Sequence, residues 1–210
     1  MTRKDLGPNS SIGVTGSPGT GKKTVGLALA HMTGLEFLSI NDFAIAHKYG
    51  FWRRSEFIVD LRKTRDSINT EGKIVCGHLL PFLIPKSRVD FVAVLRCSPR
   101  ELARRYLSRK YSKQKSRENL EAELIGVVAA KAALVYGLEK TAEFDTSRTK
   151  PGSVAKKILE TMTGGRKRHF GEIDWMASRA SFRRFLESIQ DGSVSSSVDE
   201  DLQFSSRRGL

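Results

Sequence analysis

Apolar positions along the 210-residue chain fall into two kinds of run that alternate from the N-terminus onward. LEFLSI (35–40), KIVCG (73–77) and DFVAVLR (90–96) are short, β-rich and bounded by turn or charged residues, the mark of buried strands; SIGVT (11–15), an apolar run that ends in a Gly-rich loop, and AEFDTS (142–147) read as the first and last strands. Between them the apolar period becomes helical: VGLALAHMTG up to Gly34, then 41–47, 56–70, 99–109, 116–138 and PGSVAKKILETM at 151–162. In 116–138, Leu120, Leu124, Val127, Val128, Leu134, Val135 and Leu138 fall on one stripe, expected to pack on the sheet. Ser98, Pro99 and Glu101 supply an N-cap, a first-turn proline and a capping-box carboxylate to the helix at 99–109. Strands alternating with helices predict an α/β fold whose mostly parallel sheet is covered on both faces.

This pattern makes 11–163 one domain, preceded by an N-terminal extension (1–10). After Gly164 and Gly165 comes a basic amphipathic segment, 164–190, in which Phe182, Phe185, Leu186 and Ile189 share a face opposite Arg179, Arg183 and Arg184. From Asp191 the chain is Ser-rich with little to bury and is expected to be disordered. The first ten residues lack an apolar core, and no later stretch approaches the roughly 20 apolar residues of a membrane span, so a cytoplasmic protein without a membrane partner is expected. The two cysteines, Cys76 and Cys97, form no zinc-binding pattern, and a reducing compartment fits them. A net charge of +13 changes the picture, because it brings a polyanionic partner into consideration beside a phosphorylated small molecule.

The chemistry concentrates after the first strand. Gly16, Ser17, Pro18, Gly19, Thr20, Gly21, Lys22, Lys23 and Thr24 match GxxxxGK between a strand and a helix, the context a phosphate-binding loop requires. Its glycines let backbone amides converge on phosphate oxygens, the helix N-terminus adds partial positive charge, and Lys22 reaches the β and γ phosphates. The residue after the loop lysine is normally Ser or Thr, a magnesium ligand; here it is Lys23. Thr24 is a weak candidate metal ligand, since one residue along a helix turns about 100°. Lys23 either points away or lends its ammonium in place of metal charge. His78, just past a strand end, is a candidate to position a phosphate or a water. The basic run 100–117 reads as a solvated helix face or as a closing lid, with Arg109 and Lys110 best placed to stabilise transferred charge.

Taken together, GSPGTGKKT, SINDFA, GHLLP, VLRCSPRELARRYLSRKY, RENLEAEL and EFDTS resemble the atypical adenylate kinase family of archaea and eukaryotic nuclei, which is similar to nucleoside monophosphate (NMP) kinases and is linked to small ribosomal subunit maturation. GEIDW (171–175) resembles the end of archaeal members. The resemblance implies a P-loop three-layer α/β/α fold with a parallel five-stranded sheet in the order 2-3-1-4-5. It puts Gly19, Gly21, Lys22, Lys23 and Thr24 on the ATP-phosphate positions and Arg109 on the lid arginine (lid about 108–118). Asn41, Asp42 and Phe43 open the monophosphate region (about 41–60), and His78 matches a histidine linked to ATP hydrolysis. In that sheet order Cys76 and Cys97 lie two strand spacings, about 9.6 Å, apart, beyond the roughly 7 Å limit for a disulfide. Lys23 and Cys76 depart from the family pattern, each removing a magnesium ligand or its supporting partner.

The implied function is an adenylate kinase-type phosphotransferase, ATP + AMP to 2 ADP, using ATP and Mg2+, with ATPase activity and a role in small ribosomal subunit biogenesis and rRNA processing. The partners implied are AMP as acceptor, a small-subunit ribosomal protein and rRNA. Two alternatives stand beside it: a nucleotide-gated assembly factor with weak or no kinase activity, and a small-molecule kinase with a different acceptor on the same fold.

Overall fold

The computed structural model describes residues 6–54, 56–109 and 111–177. A parallel sheet is formed by β1 (Ile12–Thr15), β2 (Glu36–Ser39), β5 (Lys73–Cys76), β6 (Phe91–Arg96) and β7 (Thr141–Asp145), ordered β2-β5-β1-β6-β7. Numbered by these five strands alone, that is the expected order 2-3-1-4-5. Alternate side chains of each strand feed two separate cores. On one face Ile12, Val14 and Ile74 pack with Val25 and Leu29 of α1 (Lys22–Thr33) and with Val154 and Ile158 of α8 (Pro151–Met162). On the other, Val75, Val92 and Val94 pack with Leu80 and Leu83 of the short α4 (Leu80–Leu83) and with Ala129, Ala132 and Tyr136 of α7 (Val127–Tyr136). The result is the three-layer α/β/α architecture. Cys76 and Cys97 are buried and free.

The helix expected over 56–70 is corrected. Residues 50–59 form an antiparallel hairpin, β3 (Gly50–Arg53) with β4 (Glu56–Val59), and only α3 (Leu61–Ser67) is helical. Asp60 accepts a hydrogen bond from the Lys63 amide, so the helix can start no earlier, and Arg54 takes a left-handed φ of 54° at the hairpin turn. The preceding α2 (Ile40–Ala46) is capped by the Ser39 hydroxyl.

The single helix expected over 116–138 is also corrected, into α6 (Lys113–Leu124) and α7, because Gly126 adopts φ +71° and ends the ladder. The break rotates the apolar stripe: Leu134 and Leu138 are exposed, and the smaller Ala129 and Ala132 face the sheet with Tyr136. In α5 (Pro99–Ser108) Ser98 does cap the Glu101 amide, but the Glu101 carboxylate binds Arg105 rather than completing a capping box.

Past α8 the chain returns to the sheet. The Glu143 amide donates to the His169 carbonyl, and the Gly171 amide and Trp175 indole donate to Glu143 and Glu123. Those two carboxylates flank Arg96 at 2.5 and 2.8 Å in a buried charged cluster. Lys110 of the predicted lid, the apolar face of Phe182, Phe185, Leu186 and Ile189, and the Ser-rich tail lie outside the described residues. Among the described residues no helix is long and apolar enough to cross a membrane.

Candidate active site

The loop between β1 and α1 is held from outside by its carbonyls. Lys22 Nζ donates to the Gly16 and Ser17 carbonyls at 2.9 and 2.8 Å, and the Thr20 hydroxyl also donates to the Ser17 carbonyl. The Tyr106 hydroxyl donates to Pro18, Arg105 Nη1 to Gly19, and the Thr146 hydroxyl to Thr20. With the carbonyls engaged this way, the free donors are the amides at the first turn of α1, which have no intrahelical partner and attract anions. Two glycines are indispensable: a Cβ at Gly16 would lie 2.2 Å from the Leu95 carbonyl, and one at Gly19 would lie 2.6 Å from the Tyr106 ring. Both also have positive φ.

Lys22 is the charged centre of the loop. Burial is the main cause that lowers its pKa from 10.5 to about 8; the charge of Arg109 adds to this, while Cys76 and Glu123 oppose it. His78, partly buried past the end of β5, is held down to about 4, first by burial and then by the charges of Lys22 and Lys115. It is therefore a neutral imidazole at physiological pH, able to donate and accept but not to supply charge.

The expected lid is the junction of α5 and α6. Arg109 caps α5 and is exposed, with its charge felt at Lys22. Tyr111 stacks on Tyr106 with centroids 5.1 Å apart, and Lys115 lies 5.0 Å over Tyr111. Lys115 also pairs with Glu56 of β4 at 2.6 Å, so the hairpin and the lid meet. The basic run is thus largely committed: Arg105 binds Glu101, Gly19 and Thr146, and Arg117 binds Glu121. Arg105, Tyr106 and Thr146 are loop-bracing residues that sequence reasoning missed. The i,i+4 spacing of Glu101 and Arg105 was a signal for the pair but not for its position under the loop.

On the acceptor side, Asp42 at the first turn of α2 pairs with Lys23 at 2.9 Å, so SINDFA and the loop are brought together. Phe43 stacks with His47 at 4.1 Å, and the buried Oδ1 of Asn41 has no hydrogen-bond partner. Thr24 is exposed on α1.

The residues at the position of a P-loop magnesium site do not fit the ion. A hard divalent cation takes oxygen ligands, and Lys23 offers an ammonium instead. Cys76 is buried with Sγ 3.7 Å from the Lys22 carbonyl, and burial pushes its thiol up to about 12, so it stays protonated. A Cβ at Gly26 would come 2.3 Å from that sulfur, which shows how closely α1 sits on β5 there.

Residues 12–126 match the family model described as "AAA domain". Two curated proteins named "Putative adenylate kinase", from Thermococcus kodakarensis and Thermococcus gammatolerans, are 34% and 37% identical over 168 residues, 78% of this chain and 92% of each of theirs. Among solved structures, shikimate kinase from Acinetobacter baumannii in complex with shikimate superposes with a TM-score of 0.50 at 20% identity, covering 77% of this chain and 97% of that one, a likeness of fold alone. With this sheet order, this loop and these relatives, the chain belongs to the P-loop NMP kinase-like family.

Proposed function

We propose that the protein is an adenylate kinase-type phosphotransferase that moves the γ phosphoryl group of ATP to AMP. The observation that carries this reading is the 16–24 loop with Lys22 poised on it, joined through Lys23 and Asp42 to the arm that would receive the acceptor. The Thermococcus relatives carry the name of the same activity.

In this reading the amides of Gly19, Gly21, Lys22 and Lys23 cradle the donor phosphates, and Lys22 exchanges the Gly16 and Ser17 carbonyls for β and γ oxygens. Arg109 closes from the lid onto the charge that develops at the transferred group. AMP lies against Asn41, Asp42 and Phe43, where the unpaired Asn41 Oδ1 is a ready acceptor for a hydrogen bond. An AMP phosphate oxygen, already ionised at neutral pH, attacks the γ phosphorus as its bond to the bridging oxygen breaks, so no general base is required. His78, neutral beside Lys22, orients a phosphate or water without adding charge. P-loop kinases of this kind generally work on ATP with Mg2+. Thr24, one residue past the usual ligand position, is the hydroxyl that the first turn of α1 offers, and no step here is routed through a metal. Incubation with ATP and each of AMP, shikimate or no acceptor tests the reading: ADP formation that rises with AMP supports it, and ADP formation indifferent to AMP overturns it.

A second reading, in which nucleotide gates contact with a small-subunit ribosomal protein or rRNA in the cytoplasm and ATP hydrolysis resets it, draws on the hairpin. Phe51 and Trp52 are 61% and 62% exposed there, and Arg53 and Arg54 follow them, a stacking surface beside positive charge. Salt-dependent binding of single-stranded RNA that is lost in Trp52→Ala would favour it.

A further inference from the structure

The donor set for a loop-bound cation is altered at two independent positions, and both alterations act in the same direction. At position 23 an oxygen ligand is replaced by a fixed positive charge, and at position 76 a thiol that stays protonated turns its sulfur onto the Lys22 carbonyl. Neither change disturbs the loop itself, whose carbonyls are all braced and whose lysine is in place. The Lys23 ammonium lies between the first turns of α1 and α2, on the side of the loop that faces the acceptor arm, and among the described residues Asp42 is its one polar partner. Both side chains are well exposed, 66% and 59%, and such a pair is weak and readily exchanged for a stronger anion.

We infer that Lys23 takes over the electrostatic work of the loop-bound divalent cation, its ammonium leaving Asp42 for the terminal phosphate oxygens of ATP when the nucleotide binds. A doubly charged ion held by a hydroxyl is replaced by a singly charged group held by its own covalent stem, always present and needing no free metal. The exchange also releases Asp42 at the start of α2, so that filling the donor site alters the charge presented to the acceptor. This inference rests on the ATP-binding reading above.

The test is calorimetric titration of the full chain with a non-hydrolysable ATP analogue, in excess magnesium and in excess chelator. The unmodified protein should bind with affinities within about threefold of each other under the two conditions, a gap far below the worth of a coordinated ion. Lys23→Thr should reopen the gap to about tenfold or more, and Lys23→Met should weaken metal-free binding by about tenfold, the worth of one charge-assisted contact to phosphate. Asp42→Asn, which frees the ammonium, should leave metal-free binding equal or tighter. Because positions 23 and 42 are exposed, thermal melts of all variants should coincide. A magnesium gap in the unmodified protein as wide as in Lys23→Thr, metal-free affinity unchanged in Lys23→Met, or weakened in Asp42→Asn, would each mean a surface ion pair only and overturn the inference. No nucleotide binding by any form under either condition would overturn the donor-site reading itself.

Discussion

Raising the pH from 7 to 9.5 should weaken ATP binding by about 30-fold, through Lys22 alone. In the free protein its pKa is lowered to about 8, with burial as the main cause. Phosphate oxygens in place of the Gly16 and Ser17 carbonyls favour the charged form and return it to its ordinary 10.5 or above. At pH 9.5 only about 3% of the free protein then carries the proton while about 90% of the complex does, which gives the factor of about 30. Folding stability should move the other way. Because the folded-state pKa is depressed, the unfolded chain binds more protons than the folded one between about 8 and 10.5. Stability of the nucleotide-free protein therefore rises with pH in that window by about 1.4 kcal/mol per pH step, to a total of about 3 kcal/mol. Fluorescence titration with a labelled ATP analogue at several pH values reads the first effect, and urea melts read the second. Lys22→Arg, charged throughout, should bind more weakly with no pH dependence, and Lys22→Met should lose the stability slope. Affinity of the unmodified protein that stays level from pH 7 to 9.5 would refute the assignment of Lys22 as the buried phosphate ligand.

Three further outcomes follow from the geometry. Arg105→Lys cannot span the Gly19 and Thr146 carbonyls with one ammonium, so nucleotide binding by titration should weaken about tenfold although charge is conserved. Glu123→Gln leaves Arg96 short of a buried countercharge and should lower stability in denaturant melts by about 3 kcal/mol or more, with the Trp175 fluorescence changing in the same transition. Gly26→Ala gains helix propensity but drives a Cβ into Cys76 Sγ, for a net loss of about 1–2 kcal/mol that Cys76→Ala should partly restore in the double variant.

The five sheet strands were legible because each is a short apolar run between turn residues, and α1 and α8 because Gly34 and Pro151 punctuate them. The hairpin was not, because Phe57, Ile58 and Leu61 imitate helical spacing, and the deciding facts are the left-handed turn at Arg54 and the Asp60 cap. Gly126 was visible as a residue, but an isolated glycine in a periodic run is usually tolerated, and only its φ of +71° shows that it divides α6 from α7. Around the loop, spacing marked Lys22, a place just past a strand end marked His78, and the family resemblance pointed to Asp42, which pairs with Lys23. Picking Arg105 out of the basic run as a loop brace required knowing which side of α5 lies under Gly19, a fact of packing that a run of similar cations conceals. The partners of Lys23 and Lys115 lie on distant segments for the same reason.

The central claim is transfer between two nucleotides, and the reaction run backwards tests it most directly. Purified protein given ADP alone should produce ATP and AMP in equal amounts, followed by phosphorus NMR or ion-exchange chromatography, and Lys22→Met should abolish it. ADP left unchanged by a protein that demonstrably binds it, or broken down to AMP and inorganic phosphate without ATP, would contradict the account.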